Sequence, residues 1–80
     1  MTRNEAFEKA NEVFRDVFDN EDIIVVEETT AADIEEWDSL MHITLVSEIE
    51  DAFGIHFQMK DVSNFKNVGQ MVDKILELVG

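Results

Sequence analysis

The chain has 80 residues, of which 45% are hydrophobic, and 19 acids against six bases give it a formal charge of −13. That length and apolar content predict one small ordered domain over residues 1–80, while the charge opposes binding to nucleic acid or to anionic membrane surfaces. No cysteine is present, so disulfides and thiolate chemistry are excluded. The longest uninterrupted apolar run, Ile23-Ile24-Val25-Val26, is far too short to span a bilayer, and a start without an apolar signal core predicts a cytoplasmic protein.

The first predicted element is a helix over about Asn4 to Phe18. Phe7, Ala10, Phe14, Val17 and Phe18 recur at helical spacing on one face. Thr2 followed by Glu5 is a capping-box pattern, and Asn4, Glu8, Glu12 and Arg15 are assigned to the solvent side. Asp19 to Asp38 then forms an acidic connection with nine acids and no base. A loop of that length should be tied down or functional. Ile23 to Val26 favours extended structure but has no convincing second strand to pair with, so these residues are read as anchors, along with Ile34 and Trp37. Thr29 or Thr30 is placed to start a short turn through Ala31, Ala32 and Asp33.

A second helix is predicted from Ser39 to Phe53, with Asp38 as N-cap and Gly54 as C-cap. Its buried stripe is read as Leu40, Ile43, Val46, Ile49 and Phe53, widened by Leu45 and Ala52. Ile55 and Phe57 return to the core. A short helix over about Met59 to Ser63 and an anchor at Phe65 follow. The last helix starts after Asn67 and presents Val68, Met71, Val72, Ile75, Leu76 and Val79 as its apolar face. Three glycines and no proline suit this reading. The fold class is therefore all-α: three longer helices and a short one, with a long first loop.

The charge is concentrated. No Lys or Arg lies between Arg15 and Lys60, and that stretch holds 13 of the 19 acids; the remaining six balance the six bases. Such a field steers basic partners. His42 and His56 lie 14 residues apart with no cysteine nearby, which is too few ligands for a zinc site. Asp16, Asp19 and Asp22 lack the remainder of a calcium-loop pattern. No metal site is expected beyond weak charge relief by divalent ions. Ser39 lacks the glycine-flanked turn of a hydrolase nucleophile, and His42, three residues later, is read as facing solvent or a partner. No catalytic residue is assigned, and the chain is read as a non-enzyme.

Ser39 stands where the unpaired N–H groups of a helix start favour an anion, which makes it a candidate for a phosphate-linked attachment. Together, Glu36-Trp37-Asp38-Ser39-Leu40, the segment from Glu48 through Gly54 to Ile55, and the closing apolar helix after Asn67 resemble the acyl carrier protein family over nearly the whole chain. That resemblance implies a four-helix carrier bundle. It implies a 4'-phosphopantetheine arm from coenzyme A on Ser39, flanked by Asp38 and Leu40, with Leu40 packing inward and Ile43, Val46 and Phe65 lining an acyl cavity. Its implied partners are a phosphopantetheinyl transferase, a loading ligase, and acyltransferase or synthase enzymes with basic docking surfaces. The carrier itself is expected to be monomeric. Glu35, Glu36, Trp37, Asp38, Met41, Thr44, Glu48, Glu50 and Asp51 are the residues read as meeting those partners. Met41 and Thr44 stand where relatives often carry acids, so the partner-facing start of the helix is more apolar than usual, and a specialised pathway is weighed against housekeeping fatty-acid synthesis. An aminoacyl, D-alanyl or peptidyl carrier shares the same arm. An acidic helical interaction domain without a prosthetic group is the reading from another class.

Overall fold

The computed structural model describes Met1 to Val79. It comprises α1 (Arg3–Phe18), a 3-10 turn (Ala31–Asp33), α2 (Ser39–Phe53), α3 (Met59–Asn64) and α4 (Val68–Val79), with no strand among the described residues. The radius of gyration is 11.3 Å. α1 packs against both α2 and α4, and the core between them is centred on Phe14, Leu45, Ile49, Val68, Met71, Val72 and Ile75.

Local chemistry sets the boundaries. Thr2 accepts from the Glu5 N–H while the Glu5 carboxylate accepts from the Thr2 N–H at 2.8 Å, closing the capping box at the start of α1. α1 ends at Asp19, a non-glycine residue in the left-handed region (φ 49°), where the cap N–H donates to Arg15 and Asp16 carbonyls. Asp38 caps α2 by accepting from the Met41 N–H at 2.8 Å, and Gly54 closes it at φ 66°. The α1 face also includes Ala6 and Val13, both buried.

The long loop is tied down by three polar side chains. Asn11 holds Val25 from both sides, accepting from its N–H at 2.7 Å and donating to its carbonyl at 3.3 Å. The Arg15 Nε donates to the Ile23 carbonyl at 2.8 Å, so Arg15 is half-buried and structural and does not simply face water. Arg3 forks onto both oxygens of Glu27 at 2.6 Å and reaches Asp73 at 2.7 Å. Ile23 and Val25 are buried, whereas Ile24 and Val26 point outward. The extended stretch therefore has the alternation of a strand, and only half of the four expected anchors act as anchors. Its far end meets the start of α4: the Val68 N–H donates to the Thr29 carbonyl at 2.8 Å and the Gly69 N–H to the Glu27 carbonyl at 3.0 Å. Asn67 then caps Gln70 at 2.9 Å. Hence the N-terminus of α4 is fully occupied by protein groups.

α2 differs from its expected register. Leu40 and Ile43 are 72% and 66% exposed, while Leu45, Val46 and Ile49 are buried and Met41, Ala52 and Phe53 pack against them. The inward stripe is thus 41, 45, 49 and 52, rotated from the stripe headed by Leu40. α3 contributes no fully buried residue. It is held by Val62 and by Lys74, whose Nζ lies 3.8 Å from Asp61.

Candidate functional site

Ser39 is the first residue of α2 and is exposed. Two acceptors at that helix start are already committed: the Asp38 carboxylate takes the Met41 N–H, and the Asp38 carbonyl takes the His42 N–H at 2.9 Å. The N–H groups of Ser39 and Leu40 are left without a protein partner among the described residues, unlike those that open α4. The positive end of the α2 dipole is therefore presented to solvent beside a primary hydroxyl.

Ser39 lines a cleft of about 440 Å³ formed by the loop, α2, α3 and the connection from α3 to α4. Trp37, Asp38 and His42 line one side, and Val62, Phe65, Lys66 and Asn67 the other. Lys66 brings a cation to the rim of a strongly acidic half of the molecule. Behind the cleft, Trp37 is 9% exposed. Its ring meets Phe14 edge-on at 5.3 Å and lies 6.3 Å from Phe18. Its indole N–H donates to Nδ1 of His42 at 3.1 Å, and the opposite nitrogen of His42, Nε2, lies 3.2 Å from the Val62 carbonyl.

Several expectations are corrected by this geometry. Leu40 projects into solvent, so it does not fix the root of an arm by packing inward. Ile43 likewise lines no internal cavity, although Val46 is buried and Phe65 borders the cleft. Trp37 belongs to the core and offers a partner little surface. His42 is half-buried, and both of its ring nitrogens are engaged by the protein, so it bridges three segments. Glu50 is half-buried, accepting from the Phe57 N–H at 2.7 Å and lying 3.1 Å from His56 Nδ1, so its carboxylate is spent on the turn after α2. Met41 packs against the core. Glu35, Glu36, Asp38, Thr44, Glu48 and Asp51 are exposed. Lys66 and the Trp37–His42 pairing were missed at the level of sequence. The available signal for the latter was a donor-only indole that needs an acceptor if buried.

Residues 12–75 match the family model described as "Phosphopantetheine attachment site". That match spans most of the chain. The chain belongs to the acyl carrier protein family. It is also similar to the solution NMR structure of a holo acyl carrier protein from Geobacter metallireducens, with 34% identity over 92% of this chain and 85% of that one, at a TM-score of 0.87. No curated protein matches it. This carrier is accordingly a carrier and not an enzyme, and it works with a phosphopantetheinyl transferase and with biosynthetic enzymes.

The residues present fit a phosphopantetheine group. The exposed Ser39 hydroxyl stands at the start of α2, the free N–H groups of Ser39 and Leu40 suit a phosphoester, and Lys66 suits its negative charge. No group of three or more potential metal ligands occurs among the described residues, and no helix there is long and apolar enough to cross a membrane.

Proposed function

We propose that this carrier bears its phosphopantetheine arm on Ser39 and passes acyl groups between the enzymes of a biosynthetic pathway. The supporting observation is the open start of α2: an exposed serine beside two unpartnered N–H groups, at the rim of a cleft. The arm supplies a thiol, which a chain without cysteine cannot provide. The chain's own residues present the hydroxyl, keep the helix terminus rigid and favour negative charge beside it.

The exposed acids are suited to recognition by basic enzyme surfaces. Glu35, Glu36 and Asp38 precede Ser39, and Glu48 and Asp51 follow it on α2. Contacts of this kind speed encounter without demanding tight binding, as a carrier that must dock and leave requires. Leu40 and Ile43 add exposed apolar surface, and Thr44 stands exposed between them and Glu48. This mixed surface supports partners in a specialised acyl pathway over a housekeeping fatty-acid role. Incubation with coenzyme A and a promiscuous phosphopantetheinyl transferase, read by intact mass, tests the proposal. The native chain should gain one phosphopantetheinyl unit and Ser39→Ala none; no gain with several transferases would overturn it.

A further inference from the structure

We propose that His42 is a positioning residue for the Ser39 site, a neutral strut whose single compatible tautomer ties the loop before Ser39 to α2 and α3. The indole of Trp37 can only donate, so the Nδ1 that receives it at 3.1 Å must be unprotonated. The proton of a neutral imidazole then sits on Nε2, which donates to the Val62 carbonyl at 3.2 Å. The two ring planes are near-parallel, with an interplanar angle of 22° and centroids 5.8 Å apart, alongside the 3.1 Å N–H···N contact.

The consequence for Ser39 is geometric. Trp37 lies two residues before Ser39, His42 lies three after it, and Val62 belongs to the opposite wall of the same cleft. One imidazole thus sets the width of the cleft beside the hydroxyl. α3 buries no residue fully, so the bond to Val62 matters to its position alongside the Asp61–Lys74 pair. A second proton on the imidazole would aim an N–H at the indole N–H. The ring would lose Trp37 while keeping Val62, and the loop would part from α2.

The charged groups around this bridge come from each packed element. Asp38, from the loop, and Lys66, from the segment before α4, line the same cleft. α3 adds Asp61, which is paired with Lys74 of α4. α1 presents the rings of Phe14 and Phe18 to Trp37. The donor-only indole of Trp37 is the group that requires a bare nitrogen at Nδ1.

The functional consequence rests on Ser39 being the attachment residue; the tautomer does not. Long-range proton–nitrogen NMR on the native 80-residue chain should show Nδ1 as a bare nitrogen and Nε2 as the protonated one. Acidification that protonates the imidazole should shift the Trp37 indole resonance in step with the His42 ring. Transferase kinetics supply the second readout. His42→Phe keeps a planar ring without either nitrogen, and His42→Gln restores one acceptor and one donor. His42→Phe should raise KM for the carrier about fivefold, the scale of one neutral hydrogen bond, with kcat little changed; His42→Gln should recover part of it. A proton on Nδ1 in the native protein, or an indole resonance indifferent to His42 titration, overturns the strut even if both variants fail to fold. Wild-type KM in His42→Phe overturns its effect on Ser39. Failure of the native chain to be loaded would instead refute the attachment site and leave the NMR result to decide the strut.

Discussion

Gly69→Ala is the substitution for which two effects compete most directly. Gly69 is the second residue of α4, where alanine improves helix propensity by no more than about 1 kcal/mol. Against this, a Cβ at that position would stand 2.6 Å from Glu27 Oε1 and 2.9 Å from the Glu27 carbonyl oxygen. The carboxylate belongs to a side chain already forked by Arg3, and the carbonyl belongs to the backbone, so neither yields easily. Retreat of the loop would break the Gly69 N–H bond to Glu27 and strain the adjacent Val68 bond to Thr29, each worth about 1 kcal/mol. Two lost bonds and the contact outweigh the propensity gain, leaving a net loss of about 1–2 kcal/mol. In a domain of this size that lowers Tm by roughly 5–10 °C, which thermal unfolding followed by circular dichroism would read. Glu27→Ala combined with Gly69→Ala removes the closer of the two contacts and should cost less than the sum of the single changes. An unchanged or higher Tm for Gly69→Ala would refute the claim that the loop backbone seals the start of α4.

Two further outcomes test the packing and the electrostatics. Leu45→Ala, in the buried stripe of α2, should cost about 2–5 kcal/mol, whereas Leu40→Ala should stay within about 0.5 kcal/mol because its side chain is exposed; urea unfolding of the pair would expose a mistaken register if the order reversed. Hydrogen bonding to Arg3 holds the Glu27 carboxyl below the ordinary glutamate range, and bonds from Thr2 do the same for Glu5. For groups lowered in this way the contributed stability is complete above the ordinary glutamate pKa and is lost as pH falls through the lower folded value. Arg3→Gln should therefore flatten the fall in Tm between about pH 5 and about pH 3, and an identical pH profile would show that the Arg3–Glu27 fork does not contribute.

Much of the fold was legible because its boundaries are written in short-range chemistry. Thr2 with Glu5, Asp38 and Gly54 each specify a cap within a few residues, so α1 began within one residue of its expected start and α2 began and ended where expected. The rotation of α2 was not legible. Apolar residues at 40, 41, 43, 45, 46 and 49 form two overlapping stripes, and helical periodicity alone cannot choose between them. The choice is made by long-range contacts: Trp37 packs edge-on against Phe14 and beside Phe18, its indole bonds His42, and His42 reaches Val62. These fix 42, and with it 41, 45 and 49, toward the protein. The tethering of the loop was expected in kind, but the roles of Asn11, Arg15 and Arg3 depend on partners eight to 70 residues away. Ser39 stood out in the sequence because its helix start, its acidic surroundings and its resemblance to a carrier site all coincide at one residue. Lys66 did not stand out, since nothing local marks a single lysine as opposite a cleft.

The most direct test of the account is where the arm attaches. The chain contains three serines, Ser39, Ser47 and Ser63, all exposed, and Ser63 also borders the cleft while donating to the Met59 carbonyl at 3.2 Å. After loading from coenzyme A, peptide mapping by mass spectrometry should place one phosphopantetheinyl unit on the peptide containing Ser39 and leave those containing Ser47 and Ser63 unmodified. A unit found on Ser47 or Ser63, or an unmodified Ser39 in a chain that has gained mass, would contradict it.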